Sequence, residues 1–543
     1  MKLKPLFILA LLAVIFASSC KKTKVTPTPT PVTPTPEQPP VTPTVSRADL
    51  TRDSIFLYAK QIYLWSDALP TYEVFNPRKY TSGSSDLANY NSELYAITQL
   101  KINPSTGKPY EASSSSGSSK YSYIQDITTK NPTAFVQTEK SSVDLEGNGN
   151  DLGVKLGAYG TSSSTDAFAL FITAVYQNSP ADKAGMVRSD RVTKINGRSI
   201  GSSFASDVDF INTAFNGTTI TLEGTKYVDG VAGAAFTVSL TKAVYKSSPI
   251  YATKVFTAGS KKVGYLAYAR FSSMANSQAA FDAAFSNFNT NGVTDLVIDL
   301  RYNGGGYVNT AQYLIDQIAP SSANGQMMFA EYYNSLMQSG QATILSNQPL
   351  LDGNGKVQYQ NGKIVTYANV SYTVANNTEK FNKTGPLQNV KNIVFIVSGN
   401  TASASELVIN SLKPYMTVTL VGTKTYGKPV GFFPVTIENR YDVYFSLFQS
   451  KNSLGQGDYF DGFTPDIVDT YDDPLRNFGD PKENYLAKAL NSIAPSVTVT
   501  AKANISMSIQ GQKVSAQSLS PMRPLVDGNE FVGMIETKHT LKK

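Results

Sequence analysis

The chain has 543 residues and a formal net charge of +7, with 48 Lys and Arg against 41 Asp and Glu. Five lysines and one glutamate give residues 1–45 a charge of +4, and no basic patch with interleaved aromatic residues follows, so a nucleic-acid partner is not expected. The single cysteine, Cys20, excludes an intrachain disulfide, and the single histidine, His539, is the fifth residue from the end.

The N-terminal segment has the features of an export signal. Residues 1–19 combine Lys2 and Lys4 with the apolar run LFILALLAVIFA, which is short for a membrane span and typical of a secretory signal peptide. The sequence ASSC, which ends at Cys20, resembles the lipobox of bacterial lipoproteins and implies lipidation of that cysteine; a plain signal peptide is the alternative. Residues 20–45, rich in Thr and Pro, predict an extended tether. We expect a protein anchored by lipid in the bacterial cell envelope, facing the periplasm, with the cell surface as the alternative.

The next segment, residues 46–140, predicts a small helical domain. Ile55, Ile62 and Trp65 recur near helical spacing in ADLTRDSIFLYAKQIYLWSDALP, and Pro70 ends the pattern. The aromatic residues of this stretch indicate a packed core rather than a platform for a ligand. A later serine-rich run, SSSSGSS, predicts a break in regular structure.

Residues 149–245 predict a β-rich domain, because short β-like runs such as FALFITAV and TTITLEG are separated by glycine and polar turns. Within it, the stretch 179–200, SPADKAGMVRSDRVTKINGRSI, resembles the signature of PDZ domains. The resemblance places Leu152, Gly153 and Val154 in the loop whose backbone N–H groups bind the terminal carboxylate of a peptide. It implies an unstructured C-terminus as the ligand; a purely structural β-domain is the alternative.

The region 251–495 alternates strand-like and helix-like stretches, among them KKVGYLAYARF, AAFDAAFSNFN, TDLVIDLR, IVFIVSG and ASELVINSLK. This alternation predicts a layered α/β structure with buried strands. Polar sequence rich in Asn and Gly interrupts it at residues 321–390, which predicts an insertion. Residues 496–543 contain the alternating run TVTAKANISMSI and predict a β-rich C-terminal tail.

Two polar motifs follow predicted strands: RYNGGG follows DLVIDL, and residues 398–406, SGNTASASE, follow IVFIV. Catalytic groups in α/β sheets favour the carboxyl ends of strands. Gly304, Gly305 and Gly306 allow the backbone to approach a substrate, and a free N–H near a helix start, such as that of Ala404, can stabilise an oxyanion. A phosphate-binding loop is disfavoured because the G-x-x-x-x-G-K-[ST] spacing is absent.

Two serines of the second motif, Ser403 and Ser405, are candidate nucleophiles, and a serine hydroxyl needs a base to take its proton. The position of His539 in the terminal KHTLKK disfavours a Ser-His-Asp triad. A lysine can replace the histidine if burial lowers its pKa. Lys428, flanked by Tyr, Gly, Pro and Val, has more apolar neighbours than Lys424 and is the better candidate.

Together these motifs resemble the C-terminal processing peptidases, the tail-specific serine proteases of family S41 that contain a PDZ domain. The family's DLR-x-N-x-GG corresponds to DLRYNGG here, its (S/T)ASASE to TASASE, its TFGK to TYGK and its G-x-x-PD to GFTPD. The resemblance implies a ClpP/crotonase-like layered α/β core, Ser403 as nucleophile and Lys428 as base, without a metal or an organic cofactor. Ser405 is then expected to cap the helix that follows.

The chain departs from the family pattern where a partner of the lysine is expected. Pro429 and Phe432 replace the frequent G-x-x-Q, and Pro414 stands where family members often have an acidic residue. Glu406 and Asn400 are the candidates for the orienting group by proximity in sequence.

The expected function is that of a serine endopeptidase that cleaves envelope proteins or peptides near their C-termini, with the PDZ domain capturing the substrate tail. One alternative is a catalytically degenerate receptor that binds peptides without cleaving them. Another is an acyl-CoA-type enzyme, which the absence of any nucleotide-binding signal in the sequence disfavours.

Overall fold

The computed structural model of the chain describes residues 45–113, 117–128, 143–161, 166–352, 355–388, 390, 392–496, 506–509, 512–515, 519–521 and 533–542. The expected signal peptide, Cys20 and all but the last residue of the expected tether lie outside the described residues. In the described part of the chain, no helix combines the length and the apolar character needed to cross a membrane. From Arg47 onward the chain forms one structural unit.

The N-terminal part of this unit is mainly helical. Its elements are α1 (Arg47–Ile62), α2 (Tyr72–Phe75), α3 (Asp86–Thr98) and the strand β1 (Tyr123–Asp126). Ser85 caps α3, since its side chain accepts the Ala88 N–H at 3.2 Å. Buried residues of α1 and α3, such as Ile55 and Leu94, lie in one apolar cluster with Phe448. The helical segment therefore shares a hydrophobic core with a much later part of the chain.

A second part of the unit is an antiparallel sheet with two helices. Its elements are β2 (Asn148–Asp151), β3 (Val154–Thr161), β4 (Phe168–Val175), α4 (Pro180–Lys183), β5 (Arg191–Ile195), β6 (Arg198–Ser199), α5 (Phe204–Asn216), β7 (Thr219–Val228), β8 (Val231–Thr241) and β9 (Ala243–Lys246). The main sheet has the order β3-β4-β5-β7-β8. Val208 and Ile211 of α5 pack with Leu170 and Ile172 of β4, because each element turns one apolar face inward.

The remaining chain up to residue 496 contains the α/β core. Its elements are β10 (Ile250–Ala258), β11 (Lys261–Tyr268), α6 (Met274–Thr290), β12 (Asp295–Asp299), β13 (Gly305–Tyr307), α7 (Val308–Ile318), β14 (Met327–Tyr333), α8 (Ser335–Gln338), β15 (Tyr359–Gln360), β16 (Lys363–Ile364), β17 (Thr378–Lys380), β18 (Asn392–Val397), α9 (Ala404–Leu412), β19 (Thr417–Gly422), β20 (Val430–Gly431), β21 (Val435–Ile437), β22 (Tyr441–Tyr444), β23 (Phe448–Asn452), β24 (Ile467–Val468) and α10 (Asn484–Ile493).

The central sheet of this core has the strand order β10-β11-β12-β18-β19-β24. Its strands run parallel from β11 to β24, and β10 is antiparallel to β11. One face, with Ile298 and Phe395, packs against α6, α7 and α9, and the other face, with Val297 and Ile396, packs against α10. Coverage on both faces explains why DLVIDL and IVFIV are apolar throughout instead of alternating.

A second sheet, in the order β17-β14-β23-β20, lies outside the central one. The segment 321–390 supplies β14 and β17 to this sheet. It also forms the separate hairpin β15-β16. The strand β1 joins β22 and β21 in a three-stranded sheet, which attaches the N-terminal segment to the core through backbone hydrogen bonds.

The C-terminal tail contributes short strands. They are β25 (Ser506–Ile509), β26 (Gln512–Ser515), β27 (Leu519–Pro521) and β28 (Gly533–Ile535). The strand β27 pairs antiparallel with the outer edge of β3, and β28 pairs parallel with β13. The Phe432 N–H donates to the Met534 carbonyl at 3.0 Å, so β28 lies between β13 and the residues after β20.

A buried network of charges joins the β-rich part to the α/β core. The Arg188 guanidinium donates to Asp472 at 2.6 Å and to the Tyr302 hydroxyl at 2.8 Å, while Arg301 pairs with Asp472 and Glu483 at 2.7 and 2.9 Å. Burial acts to raise the pKa of Asp472, but the two arginines lower it to about 2. Arg301 of the DLR motif therefore serves in this network as a structural cation.

Candidate active site

The two polar motifs lie side by side because β12 and β18 are neighbouring parallel strands with their carboxyl ends at the same edge. Hydrogen bonds connect the loops that follow them: Thr401 Oγ1 donates to the Leu300 carbonyl at 2.8 Å, and the Ala402 N–H donates to the Asn303 carbonyl at 3.1 Å. Ser405 Oγ donates to the same Asn303 carbonyl at 3.0 Å. The structure thus forms one site from motifs about a hundred residues apart in sequence.

Ser403 occupies a strained turn at the start of α9. Its backbone has a positive φ of 59° and a ψ of −109°, a conformation that few residues other than glycine adopt. The side chain is buried, and its Oγ makes no hydrogen bond to another described residue. Ser403 is the N-terminal cap position of α9, so the expectation that Ser405 caps this helix is wrong. Ser405 lies inside the first turn, and its Oγ donates to Asn303 in the loop of residues 303–306, called the glycine loop below.

The glycine loop packs closely against the Ser403 turn. A Cβ at Gly305 would lie 2.4 Å from the Gly533 carbonyl oxygen and 3.1 Å from the Ala404 nitrogen, and the residue has a φ of 109°. Only glycine fits at this position. The Gly305 N–H donates to Asn303 Oδ1 at 2.9 Å, so in this structure the N–H expected to bind an oxyanion is engaged within the loop.

The neighbouring groups differ in availability. Gly306 has a φ of 138°, and a Cβ added to it would lie 2.1 Å from the Phe271 carbonyl oxygen. The backbone at this position therefore requires glycine. Gly304 accepts the Gly533 N–H at its carbonyl, at 3.0 Å. Ala404 is the first residue of α9, and its N–H has no acceptor within the helix. The Ala404 N–H therefore stays a candidate oxyanion donor.

Lys428 lies buried after β19, and its Nζ donates to the Tyr121 carbonyl at 3.4 Å and lies 4.5 Å from the centre of the Phe432 ring. Burial lowers the pKa of Lys428 to about 7, with a further decrease from Lys120 and opposing increases from the charges of Glu111 and Glu406. No hydrogen bond joins Lys428 Nζ to the Ser403 hydroxyl in the described part of the chain.

The other candidate bases have other roles. Lys424 is exposed and forms an ion pair with Asp461. His539 packs edge-on against the rings of Tyr367 and Phe433, at centroid distances of 5.1 and 5.4 Å, and burial lowers its pKa to about 4. The imidazole is therefore neutral and held in an aromatic environment.

The part of the chain that contains both loops and Lys428 matches a known family. Residues 262–469 match the model of peptidase family S41, and residues 171–223 match that of a PDZ domain. The core is a peptidase family S41 domain. The resemblance inferred from the motifs is confirmed, as is the expected α/β core with a PDZ domain.

Relatives of the chain are similar over part of their length. A carboxy-terminal-processing protease of Bartonella bacilliformis is 24% identical over 278 residues, which is 50% of this chain and 52% of that protein. A chloroplastic carboxyl-terminal-processing peptidase 1 of Arabidopsis thaliana is 24% identical over 265 residues, 48% of this chain and 44% of that protein. The chain thus matches about half the length of these relatives.

A solved structure of a Bacteroides fragilis protein assigned to the S41 proteases is similar over a longer stretch. It aligns with 82% of this chain and 97% of its own, at 22% identity and a TM-score of 0.52. The two proteins therefore share a fold.

The carboxylate of Glu406 organises the S41 site. It accepts hydrogen bonds from the N–H groups of Ser403, Gly427 and Lys428 at 2.9, 2.8 and 2.8 Å, and from Thr425 Oγ1 at 2.6 Å. One oxygen, Oε2, accepts the backbone N–H groups of both Ser403 and Lys428. The two backbone nitrogens therefore lie no further apart than the sum of these two hydrogen-bond distances. Burial raises the pKa of Glu406, while the four hydrogen bonds act to lower it.

Of the two candidates for the orienting group, Glu406 is in contact with Lys428, through the backbone N–H rather than the ammonium. Asn400 is exposed at the other end of the loop, where its N–H bonds to Ser398 Oγ at 3.2 Å. The Lys428 ammonium donates to the Tyr121 carbonyl oxygen, from a segment 307 residues earlier in the chain.

The N-terminal helical part therefore contributes Tyr121 to the candidate site, and the buried carboxylate of Glu111 holds Tyr121 in place. Glu111 accepts the N–H groups of Tyr121 and Ser122 at 3.2 and 2.8 Å, and hydroxyl groups of Ser122, Ser446 and Tyr63 at 2.7, 2.9 and 3.1 Å. The Tyr121 hydroxyl donates to the Gly427 carbonyl at 2.6 Å. Nothing in the sequence marks these residues, because no motif or spacing relates them to the S41 motifs.

The expected PDZ carboxylate loop precedes β3. The Gly153 N–H donates to Asp151 Oδ1, the Gly153 carbonyl accepts the Tyr176 N–H at 2.9 Å, and the Leu152 carbonyl accepts the Ala181 N–H at 3.0 Å. Val154 is paired with β4 in the sheet. The Gly153 N–H is thus engaged within the chain, and peptide binding by this loop stays a prediction.

Proposed function

We propose that the chain is a serine endopeptidase in which Ser403 is the nucleophile and Lys428 the general base. The observation that carries this proposal is a buried lysine with a pKa near neutrality, whose backbone shares one Glu406 oxygen with the backbone of the serine. A neutral amine can accept a proton at physiological pH, which an ordinary lysine does poorly. The Ser403 hydroxyl has no hydrogen-bond partner among the described residues, so its proton is available for transfer to the Lys428 amine.

The reaction follows from these groups. Ser403 Oγ attacks the carbonyl carbon of a peptide bond as its proton passes to Lys428 Nζ, and the carbonyl oxygen becomes an oxyanion that accepts the Ala404 N–H. The tetrahedral intermediate expels the amine, which takes the proton from Lys428, and leaves an ester on Ser403. Water then attacks the ester, with Lys428 again taking and returning a proton, and releases the acid product.

Substrates, location and tail capture form the rest of the proposal. The relatives named above are carboxy-terminal-processing enzymes, so we place cleavage near the C-termini of unfolded proteins or peptides, with capture by the PDZ domain. The sequence of residues 1–45 supports export and lipid anchoring at Cys20 in the bacterial envelope.

The proposal is tested with the soluble chain from residue 46 and an unfolded protein that carries a label at its C-terminus. Mass mapping of the products is expected to show cuts near the labelled end, and a serine-directed acylating probe is expected to modify Ser403. Binding of peptides with neither cleavage nor acylation would support the noncatalytic receptor instead.

The role of Glu111 gives a prediction on pH dependence. The negative charge of Glu111 raises the pKa of Lys428, so Glu111→Gln is expected to move the acidic limb of the pH–rate profile to lower pH. The measurement is kcat/KM against pH. Tyr63→Phe is the matched control, because it removes one hydrogen bond to the same carboxylate and keeps the charge. An equal shift in both variants, or a shift of Glu111→Gln to higher pH, would contradict the electrostatic role.

A further inference from the structure

One buried arginine of the described chain lacks a carboxylate partner. The buried arginines that do form ion pairs with carboxylates are Arg52, Arg188, Arg301 and Arg476. Arg270 is only 8% exposed and forms no ion pair with any acid in the part of the chain that the structure describes. An arginine keeps its charge at all physiological pH values, so it cannot relieve its burial by losing a proton, as Lys428 can. A buried charge without a counter-ion is costly to the fold.

The guanidinium of Arg270 has few partners of other kinds. One terminal nitrogen donates to the Ser247 carbonyl at 3.3 Å, and the group lies 5.6 Å from the centre of the Tyr176 ring. Its Nε has no hydrogen-bond partner. Asp151, an acid of the same region, bonds to the Tyr245 hydroxyl at 2.7 Å and not to the arginine. Arg270 therefore retains unused donors of the kind that bind carboxylates in pairs.

Arg270 lines a cavity next to the glycine loop. The cavity is small, with about 20 Å³ available to the centre of a water-sized group, and it is partly open to solvent; Gly304 and Tyr251 also line it. The next residue in the chain, Phe271, donates its N–H to the Gly305 carbonyl at 2.8 Å. The unpaired cation thus lies one residue away from the loop that packs on Ser403.

We propose that Arg270 binds a carboxylate of the substrate in this cavity. The peptide nature of that substrate rests on the proposed function; the anion site itself rests on the unpaired cation and the cavity. The carboxylate is either the terminal group of the peptide or an Asp or Glu side chain near the bond that is cut. Binding at this point fixes the register of the peptide relative to Ser403 and so selects which bond is cleaved.

The first test measures thermal unfolding of the full mature chain in sodium propionate and in sodium chloride at equal ionic strength. Propionate is expected to raise the Tm of the parent chain and to leave that of Arg270→Met unchanged. In chloride, Arg270→Met should be at least as stable as the parent, because the substitution removes a buried charge that has no carboxylate partner among the described residues. Arg47→Met, which removes an exposed arginine, is the control for net charge and should respond to propionate like the parent. An equal propionate effect in the parent and Arg270→Met, or none in the parent, overturns the proposal.

The second test identifies the source of the carboxylate. Alanine-based pentapeptides with a free or amidated C-terminus, and with Glu or Gln at the centre, are titrated calorimetrically into the Ser403→Ala chain, so that the result does not depend on cleavage. Loss of the recognised carboxylate should weaken binding by about tenfold or more. Amidation has this effect if the terminus is bound, and Glu-to-Gln exchange has it if a side chain is bound.

Arg270→Lys, combined with Ser403→Ala, keeps the charge without the planar pair of donors and should lose most of the discrimination. Discrimination that survives in the Arg270 variants would belong to the PDZ loop and would overturn the proposal, as would equal binding of all four peptides. If the chain binds the carboxylate but cleaves no peptide, the proposed peptidase function is wrong and the proposed anion site stands.

Discussion

The Ser403→Ala variant is expected to lose cleavage of an unfolded protein by on the order of 10⁴-fold or more in kcat, because it removes the hydroxyl that we propose as the nucleophile. The variant should fold normally. The Ser403 Oγ is buried without a hydrogen-bond partner, so its removal costs no interaction and leaves the free energy of unfolding equal or slightly higher. Product mapping and thermal unfolding measure the two quantities.

Ser405→Ala is the matched control for this prediction. It removes the hydrogen bond from Ser405 Oγ to the Asn303 carbonyl, which holds the start of α9 against the glycine loop. The expected cost is about 1 kcal/mol of stability and a decrease of activity of no more than roughly tenfold. Cleavage at the parent rate by Ser403→Ala, or a greater loss in Ser405→Ala, would show that the nucleophile is misassigned.

Lys428→Met is expected to abolish the peptidase activity and, at the same time, to stabilise the protein near pH 6. The pKa of Lys428 is about 7 in the folded chain and that of an ordinary lysine, 10.5, in the unfolded chain. Between these pH values the unfolded state binds more protons, so the lysine contributes a loss of stability that grows as pH falls from 10.5 to 7 and is complete below 7. Methionine has a similar length and no charge, and removes this cost.

Chemical denaturation at about pH 6 and about pH 11 tests this prediction. The gain of Lys428→Met over the parent should be a few kcal/mol at the lower pH, since each pKa unit corresponds to about 1.4 kcal/mol, and should nearly vanish at the higher pH. The activity of the parent chain should rise with pH around a midpoint of about 7. Lys424→Met, at an exposed ion pair, should change neither quantity. A destabilised Lys428→Met at pH 6 would be the contrary result.

The sequence alone predicts the position of those parts of the candidate site that directly follow buried strands. Hydrophobic runs that end in glycine or small polar residues predict the carboxyl ends of buried strands, and neighbouring parallel strands bring such ends together. The proximity of the loops that contain Gly305 and Ser403 is therefore predictable, and so is the α/β core with a PDZ domain; the catalytic roles of Ser403 and Lys428 stay predictions. Burial of Lys428 also followed from its apolar neighbours in the chain.

Long-range contacts between irregular segments were beyond prediction. Tyr121 contacts Lys428 from a segment that follows the predicted break SSSSGSS, and Glu111 binds the Tyr121 N–H. The acceptor in Tyr121 is a backbone carbonyl, which every residue has, so residue identity cannot reveal this contact. The expectation that Ser405 caps α9 overlooks the S-x-x-E spacing of Ser403 and Glu406, which is that of a capping box and indicates Ser403 as the cap position. The helix accordingly begins at Ala404, directly after Ser403.

The position of β28 makes the shape of the glycine loop depend on a segment far from it in sequence. The loop packs against Gly533, the Gly304 carbonyl accepts the Gly533 N–H, and the Phe432 N–H donates to the Met534 carbonyl. Loss of this strand would leave both backbone groups without these partners and would remove the pairing of β13. A substitution in β28 can therefore disturb the loop without changing any side chain of the candidate site.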